Sequence, residues 1–150
     1  MTLDLLAVLV LGLMCGSELN IAAFSHPTLN HQSIEVHVPV RASFARLFGR
    51  VMPFWMTGST LLNLLLLLPF AHLSHTGRVA AGIAFAIQVG AVVFSLVAPV
   101  PINNRISKWI ATSLPADWKV QENRWDAYHW FRTCALIVAF ALLVFAVRVS

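Results

Sequence analysis

Charge is scarce in this chain. Only 11% of its 150 residues are Asp, Glu, Lys or Arg, while 59% are hydrophobic. A water-soluble domain carries about 25% charged residues, so the deficit excludes an ordinary soluble fold and points to lipid as the main solvent. Cysteine is scarce too: Cys15 and Cys134 lie in apolar stretches without metal-type spacing, which indicates neither a disulfide framework nor a zinc site. There is no low-complexity tract and no convincing repeat. The ten basic residues never form a block, so the formal net charge of +4 reads as attraction to anionic lipid headgroups and not to nucleic acid.

What is abundant is long apolar sequence. Four stretches, near 3–25, 51–71, 79–98 and 131–148, approach the roughly 20 residues that a helix needs to cross a hydrocarbon core. Lipid cannot satisfy a free backbone N–H or C=O, so each is expected to be helical. The first stretch lacks a basic leader, begins with Asp4 and holds Glu18 and Asn20 where a signal peptide would be cleaved. It therefore reads as a retained span. The expected fold class is all-α: residues 1–150 form a single transmembrane domain, an integral membrane four-helix bundle with a short interfacial helix in the third loop.

Four crossings put the loops 26–50 and 99–130 on one side of the lipid bilayer. Arg41, Arg46, Arg50, Arg105, Lys108, Lys119 and Arg124 fall there, against Arg78 and Arg148 on the side of the termini. The positive-inside rule then places the long loops in the cytoplasm and both termini outside, with the plasma (inner) membrane as the expected location. Gly12 with Gly16, and Gly82 with Ala86 and Gly90, form small-residue stripes that allow close helix approach, within the bundle or across a homo-oligomer face. Asn63 and Gln88 lie in mid-span and are expected to hydrogen-bond across the bundle or, alternatively, to touch a ligand.

In the first long loop, Pro27 and Pro39 are expected to break regular structure, with residues 41–50 forming a short basic helix at the interface. Glu35 and His37, two apart in an extended stretch, would face the same way as a metal pair or simply as solvated surface. In the second, Pro99 and Pro101 are expected to end the third span, and Asn103 or Asn104 to cap a short helix carrying Ile106, Trp109 and Ile110 on one face.

Polar and aromatic chemistry concentrates in residues 99–133, which hold Trp109, Trp118, Trp125 and Trp130. No Pro or Gly occurs from Gln121 to Ser150, so one helix is expected to run from there through the fourth span. At about 100° per residue, Glu122, Trp125, Asp126, His129, Arg132 and Thr133 share a stripe about 120° wide. Leu136 and Phe140 continue that face. Polar groups at the mouth above an apolar floor describe one wall of a pocket. Glu18 and Asn20 end the first span on the same side. A carboxylate inside a bilayer costs about 2.5–3.5 kcal/mol even on lenient scales, so Glu18 is expected to face the bundle and to pair with Arg132 or His129. That pair is either a structural bridge or a functional carboxylate.

Two chemistries fit these groups. In one, Glu18, Asp126 and His129 bind a mononuclear iron or copper ion; Asp126 and His129 form one carboxylate-x-x-His element, where a di-iron bundle would need two. In the other no cofactor is needed: His129 removes a proton from an acidic C–H or phenol, Arg132 and Asn103 stabilise the resulting oxyanion, and Trp125 and Trp130 contact a planar substrate. Two further readings are a non-enzymatic binding or scaffold subunit, in which Trp125 and Arg132 anchor a helix, and a haem or metal carrier using His129 and His26.

The order His26-Pro27 after the first span, Pro101 with Asn103-Asn104 after the third, and Trp125, His129 and Arg132 entering the fourth resembles the anthrone oxygenase-like family of small four-span integral membrane proteins. The resemblance implies a membrane oxidoreductase that oxidises a hydrophobic aromatic or quinone-like small molecule, such as an anthrone, with molecular oxygen. It implies His129 as the base, Arg132 and Asn103 as oxyanion partners and Trp125 as the stacking wall. Glu18 joins the expected catalytic set, and Trp130, Asn104 and His26 the expected substrate-binding set.

Overall fold

The computed structural model describes residues 2–150, except for the side chain of Phe70, and within them every regular element is helical. Met1, the first residue of the expected domain, lies outside the described residues. Helix α1 (Leu3–Asn20) runs through a π-helical turn (Ile21–Ser25) into a short α2 (His26–Leu29). Pro27 was expected to break the chain here and does not. Its ring crowds the carbonyl four residues back and it has no N–H to donate. The helix answers by widening: the His26 N–H reaches Ile21 O, five residues earlier.

Helix α3 (Ile34–Leu66) absorbs most of the expected first loop, and the basic stretch 41–50 is its middle instead of a separate surface helix. Pro39 and Pro53 each remove one internal hydrogen bond, which a 33-residue helix tolerates when tertiary packing holds both flanks. Here His37, Val38, Arg41, Ala42 and Ala45 supply that buried face. Helix α4 (His75–Val97) starts where Ser74 Oγ accepts the Gly77 N–H at 3.0 Å. Helix α5 (Pro99–Ile106) begins at the proline expected only to end the preceding span, because proline suits a first helical turn. Asn103 and Asn104 therefore lie inside α5 and do not cap it. Trp109, past its end, is buried with Ile102 and Ile106, while Ile110 is exposed. Helix α6 (Trp118–Arg148) is continuous, as the absence of Pro and Gly from Gln121 onward allows.

The helical segments Leu3–Leu29, His75–Val97 and Trp118–Arg148 are long and apolar enough to cross a membrane. The second half of α3 falls short of that standard because Thr57, Gly58, Ser59, Thr60 and Asn63 dilute its leucines. Four such helices were expected on composition; among the described residues three are long and apolar enough.

Small side chains set the closest approaches. A Cβ on Gly77 would stand 2.7 Å from Ala146 O, so α4 and α6 meet there almost backbone to backbone, and Ala80, Ala84 and Ala139 continue the core. A Cβ on Gly12 would meet Phe140 at 2.9 Å. Gly16, Gly82 and Gly90 meet nothing within 4 Å, so the Gly82–Ala86–Gly90 stripe is not a seam of this bundle. Ser59 Oγ donates to Gln88 Oε1 at 3.2 Å, the cross-bundle bond expected of Gln88. Asn63 is fully buried with neither amide atom bonded. A second apolar cluster, including Ile21, Val38, Ile106, Trp109 and Trp125, closes the other end of the molecule. Phe48 packs against both clusters, beside the site described next.

Candidate functional site

The buried face of α6 is the stripe read from the sequence: Glu122, Trp125, His129, Arg132 and Thr133 point inward, with Leu136 below them. Trp130 does not join them. It is 41% exposed, because five residues past Trp125 is about 140° around the helix.

Opposite the lower part of this stripe stands Glu18, with no exposed surface. Arg132 reaches Glu18 Oε2 through Nη2 at 2.6 Å and Nε at 3.0 Å, and donates Nη1 to Ser95 Oγ at 3.1 Å. Two bonds from one guanidinium to one carboxylate offset much of the cost of burying both charges. His129 completes the group. Its Nε2 donates to the Glu18 carbonyl at 3.1 Å, and its Nδ1 receives Arg132 Nη2 at 3.1 Å. Both imidazole nitrogens are thus engaged, which sets the Nε2–H tautomer.

A second ionic cluster sits one to two turns nearer the α6 N-terminus. Arg41 Nη2 donates to Asp126 Oδ1 at 2.5 Å, and its Nε lies 3.6 Å from Glu122 Oε1. His37 Nε2 meets the same Glu122 oxygen at 2.5 Å while its Nδ1 donates to Leu29 O at 2.8 Å. Lys119 Nζ holds Glu122 Oε2 at 2.6 Å. Arg41 also lies 4.9 Å from the centroid of the Trp125 ring, a cation–π distance. His26, delivered by the π turn, bonds Asp126 Oδ1 through Nδ1 at 3.1 Å. Its ring centroid is 5.0 Å from that of Trp125, which stacks on His129 at 4.7 Å.

Arg41 and His37 were missed as site residues. Their signal is helical spacing with Val38 and Ala45, hidden wherever Pro39 is taken as a break. The same misreading produces the Glu35–His37 metal pair. On a helix those positions lie about 200° apart, and Glu35 is exposed while His37 is buried. Nor do Glu18, Asp126 and His129 converge on one point. Arg132 takes the first carboxylate and Arg41 the second, and among the described residues no three His, Cys, Asp or Glu are grouped to hold an ion. The His26 and His129 rings are neighbours, with centroids 6.2 Å apart, but His129 has no free lone pair for a haem iron in this arrangement. Cys15 and Cys134 are both free thiols.

Both clusters border a cavity of about 320 Å³. Its polar wall is Glu18, His26, Arg41, Trp125, His129 and Arg132, and its apolar wall includes Phe44, Phe48, Met52 and Met56. Helix α5 closes one side through Asn103 and Asn104. Asn103 Nδ2 donates to Ala45 O at 2.9 Å, tying α5 to α3; a Cβ on Gly49 would stand 3.0 Å from that nitrogen. Asn104 is exposed at the rim. The other exposed lining residues, Gly49, Pro53, Thr57 and Leu96, belong to α3 and α4, so the mouth opens sideways between these helices.

The anthrone oxygenase family profile matches residues 42–142. That stretch contains Asn103, Trp125, Asp126, His129 and Arg132, whereas Glu18, His26 and Arg41 come from the chain before it. No curated protein and no solved structure gives a significant match.

Proposed function

The chain belongs to the anthrone oxygenase family, and from that premise we propose that it is a membrane oxidoreductase acting on a hydrophobic, anthrone-like aromatic molecule with molecular oxygen. The observation that carries the reading is the lateral cavity: an aromatic and methionine wall facing a wall of balanced ionic groups. Such a chamber suits a flat, lipid-soluble molecule with one ionisable edge.

Overall, the ring methylene of the substrate and one molecule of oxygen give a ketone and one molecule of water. The methylene loses four electrons, and the oxygen molecule takes them. Removal of a C–H proton leaves a carbanion delocalised onto the ring-ketone oxygen. The guanidinium N–H groups of Arg132 and Arg41 face that anion from within their ion pairs, and the indole of Trp125 adds an aromatic edge to the same wall. Asn103 and Asn104 bound the substrate from α5. An electron-rich carbanion of this kind reduces oxygen directly, so the proposed reaction uses no metal or other cofactor.

We place α3 as a fourth crossing. Its residues Met52, Met56, Ser59, Asn63 and Leu66 are buried, while Val51, Phe54, Leu61 and Leu65 face outward, which suits a helix with one side on the bundle and one in lipid. The site end carries exposed Arg46, Arg50, Arg105, Lys108, Lys119 and Arg124, whereas Arg41 is buried in the site. Those exposed charges support a cytoplasmic site end, α5 at the interface and both termini outside, in the plasma membrane.

The test is oxidation of an anthrone by purified protein in lipid nanodiscs, following quinone absorbance and oxygen uptake together. One oxygen consumed per quinone formed, with the rate unchanged after exhaustive chelation, is the expected result. A rate equal to that of empty nanodiscs overturns the oxygenase reading; loss of rate on chelation, restored by iron or copper, overturns the cofactor-free mechanism.

A further inference from the structure

We propose that the proton acceptor of this site is His26, acting through Nε2 and positioned by Asp126, and that His129 positions the ion pair beneath it; the assignment rests on the oxygenase reading above. The argument is one of free lone pairs. His129 has none, since a carbonyl holds Nε2 and Arg132 holds Nδ1. His26 has one. Asp126 fixes its Nδ1–H, and its Nε2 makes no hydrogen bond among the described residues. Nor is Nε2 among the enclosed polar atoms that lack a partner, so it is open to the cavity that His26 lines.

Geometry makes the rest of the dyad. A carboxylate on Nδ1 selects the tautomer with a basic Nε2 and stabilises the imidazolium formed when that nitrogen takes a proton. Asp126 is itself held by Arg41 on the same oxygen, Oδ1. The His26 ring tilts against Trp125 with centroids 5.0 Å apart, so the base and the indole share one wall of the cavity.

The proton inventory closes with one base. Nε2 takes the first C–H proton, and the carbanion passes one electron to oxygen. The resulting radicals combine to a peroxide anion, to which Nε2–H returns the proton. Nε2 then takes the second C–H proton as the O–O bond breaks and C=O forms. The departing hydroxide collects that proton as water.

Two measurements test the assignment. In nanodiscs, His26→Gln is expected to lower kcat for anthrone oxidation by about 100-fold or more with little change in KM, the usual scale for loss of a general base. Asp126→Asn lowers kcat less, and His129→Gln acts mainly on KM and thermal stability. A His26→Gln protein near wild-type kcat, or a larger kcat loss in His129→Gln, overturns the proposal. The second measurement uses wild-type protein alone, so it survives a variant that fails to fold. Carbethoxylation by diethyl pyrocarbonate, mapped by mass spectrometry with exposed His31 and His75 as references, is expected to reach His26 well before His129 and to be slowed by an anthraquinone. Modification of His129 ahead of His26 overturns the assignment. Wild-type protein that does not oxidise the anthrone brings down the oxygenase reading and the catalytic role with it, whereas the variant and labelling outcomes bear on His26 alone.

Discussion

Glu18 carries the clearest energetic argument at the scale of single residues. It is an acid in an apolar helix, without exposed surface, and its stability depends on Arg132. That an intramembrane carboxylate needs a cationic partner follows from desolvation alone, and the partner was one of two legible from the sequence. Arg132→Met leaves Glu18 without its cation and is expected to cost about 3–5 kcal/mol of stability. Adding Glu18→Gln to that variant should restore much of the loss, because two neutral side chains leave no uncompensated charge. Thermal unfolding of the three variants in mild detergent checks this; a double variant as unstable as Arg132→Met would show that the bridge is not what Glu18 needs. Arg41 was not legible in the same way. Helical spacing with Val38 and Ala45 is its one sequence sign of burial, and nothing local says that it lies between two acids and a tryptophan.

Among the elements, the π turn matters most for the site. A regular α-helix through Ile21–Ser25 would turn His26 away by about 100° for each residue of register. The widened turn gives His26 its place beside Asp126 and leaves the Glu18 carbonyl accepting from His129. Pro27→Ala returns a backbone donor to the turn and removes the ring that crowds the preceding carbonyl. We expect the variant to unfold at the same temperature or higher while oxidising an anthrone more than about tenfold more slowly. Full activity with an unchanged transition would show that the register of His26 does not depend on Pro27. Prolines in this chain illustrate why local rules misplace boundaries: Pro27, Pro39, Pro53 and Pro99 all lie within helical elements, at a first turn, at a widened turn or in a helix held by packing.

At the scale of the whole molecule, the two ends differ in kind. One end is close-packed, with Gly77 against Ala146 and Ser74 N bonded to Ser150 Oγ at 3.3 Å. The other holds the ionic clusters, the cavity and most of the exposed basic residues. This asymmetry gives an orientation test. In a Cys15→Ala, Cys134→Ala background, Lys108→Cys should react with a membrane-impermeant thiol reagent in inside-out vesicles and not in right-side-out ones, and a cysteine at Thr2 the reverse. Labelling of both positions from the same side would remove the four-crossing topology.

The sequence by itself determined what composition and periodicity can carry: an all-helical chain suited to lipid, the inward stripe of α6 from Glu122 to Thr133, and the need of Glu18 for a cation. Each follows from a local rule, whether hydropathy, a turn of 3.6 residues or the cost of a bare charge. Tertiary structure alone decided which lone pairs stay free. Whether His26 or His129 keeps an open nitrogen depends on a carbonyl and an arginine brought from other parts of the fold, and no spacing along one helix encodes that. It also decided that Asp126 pairs with Arg41 and His26, since α3 and the π turn reach α6 only when the bundle closes.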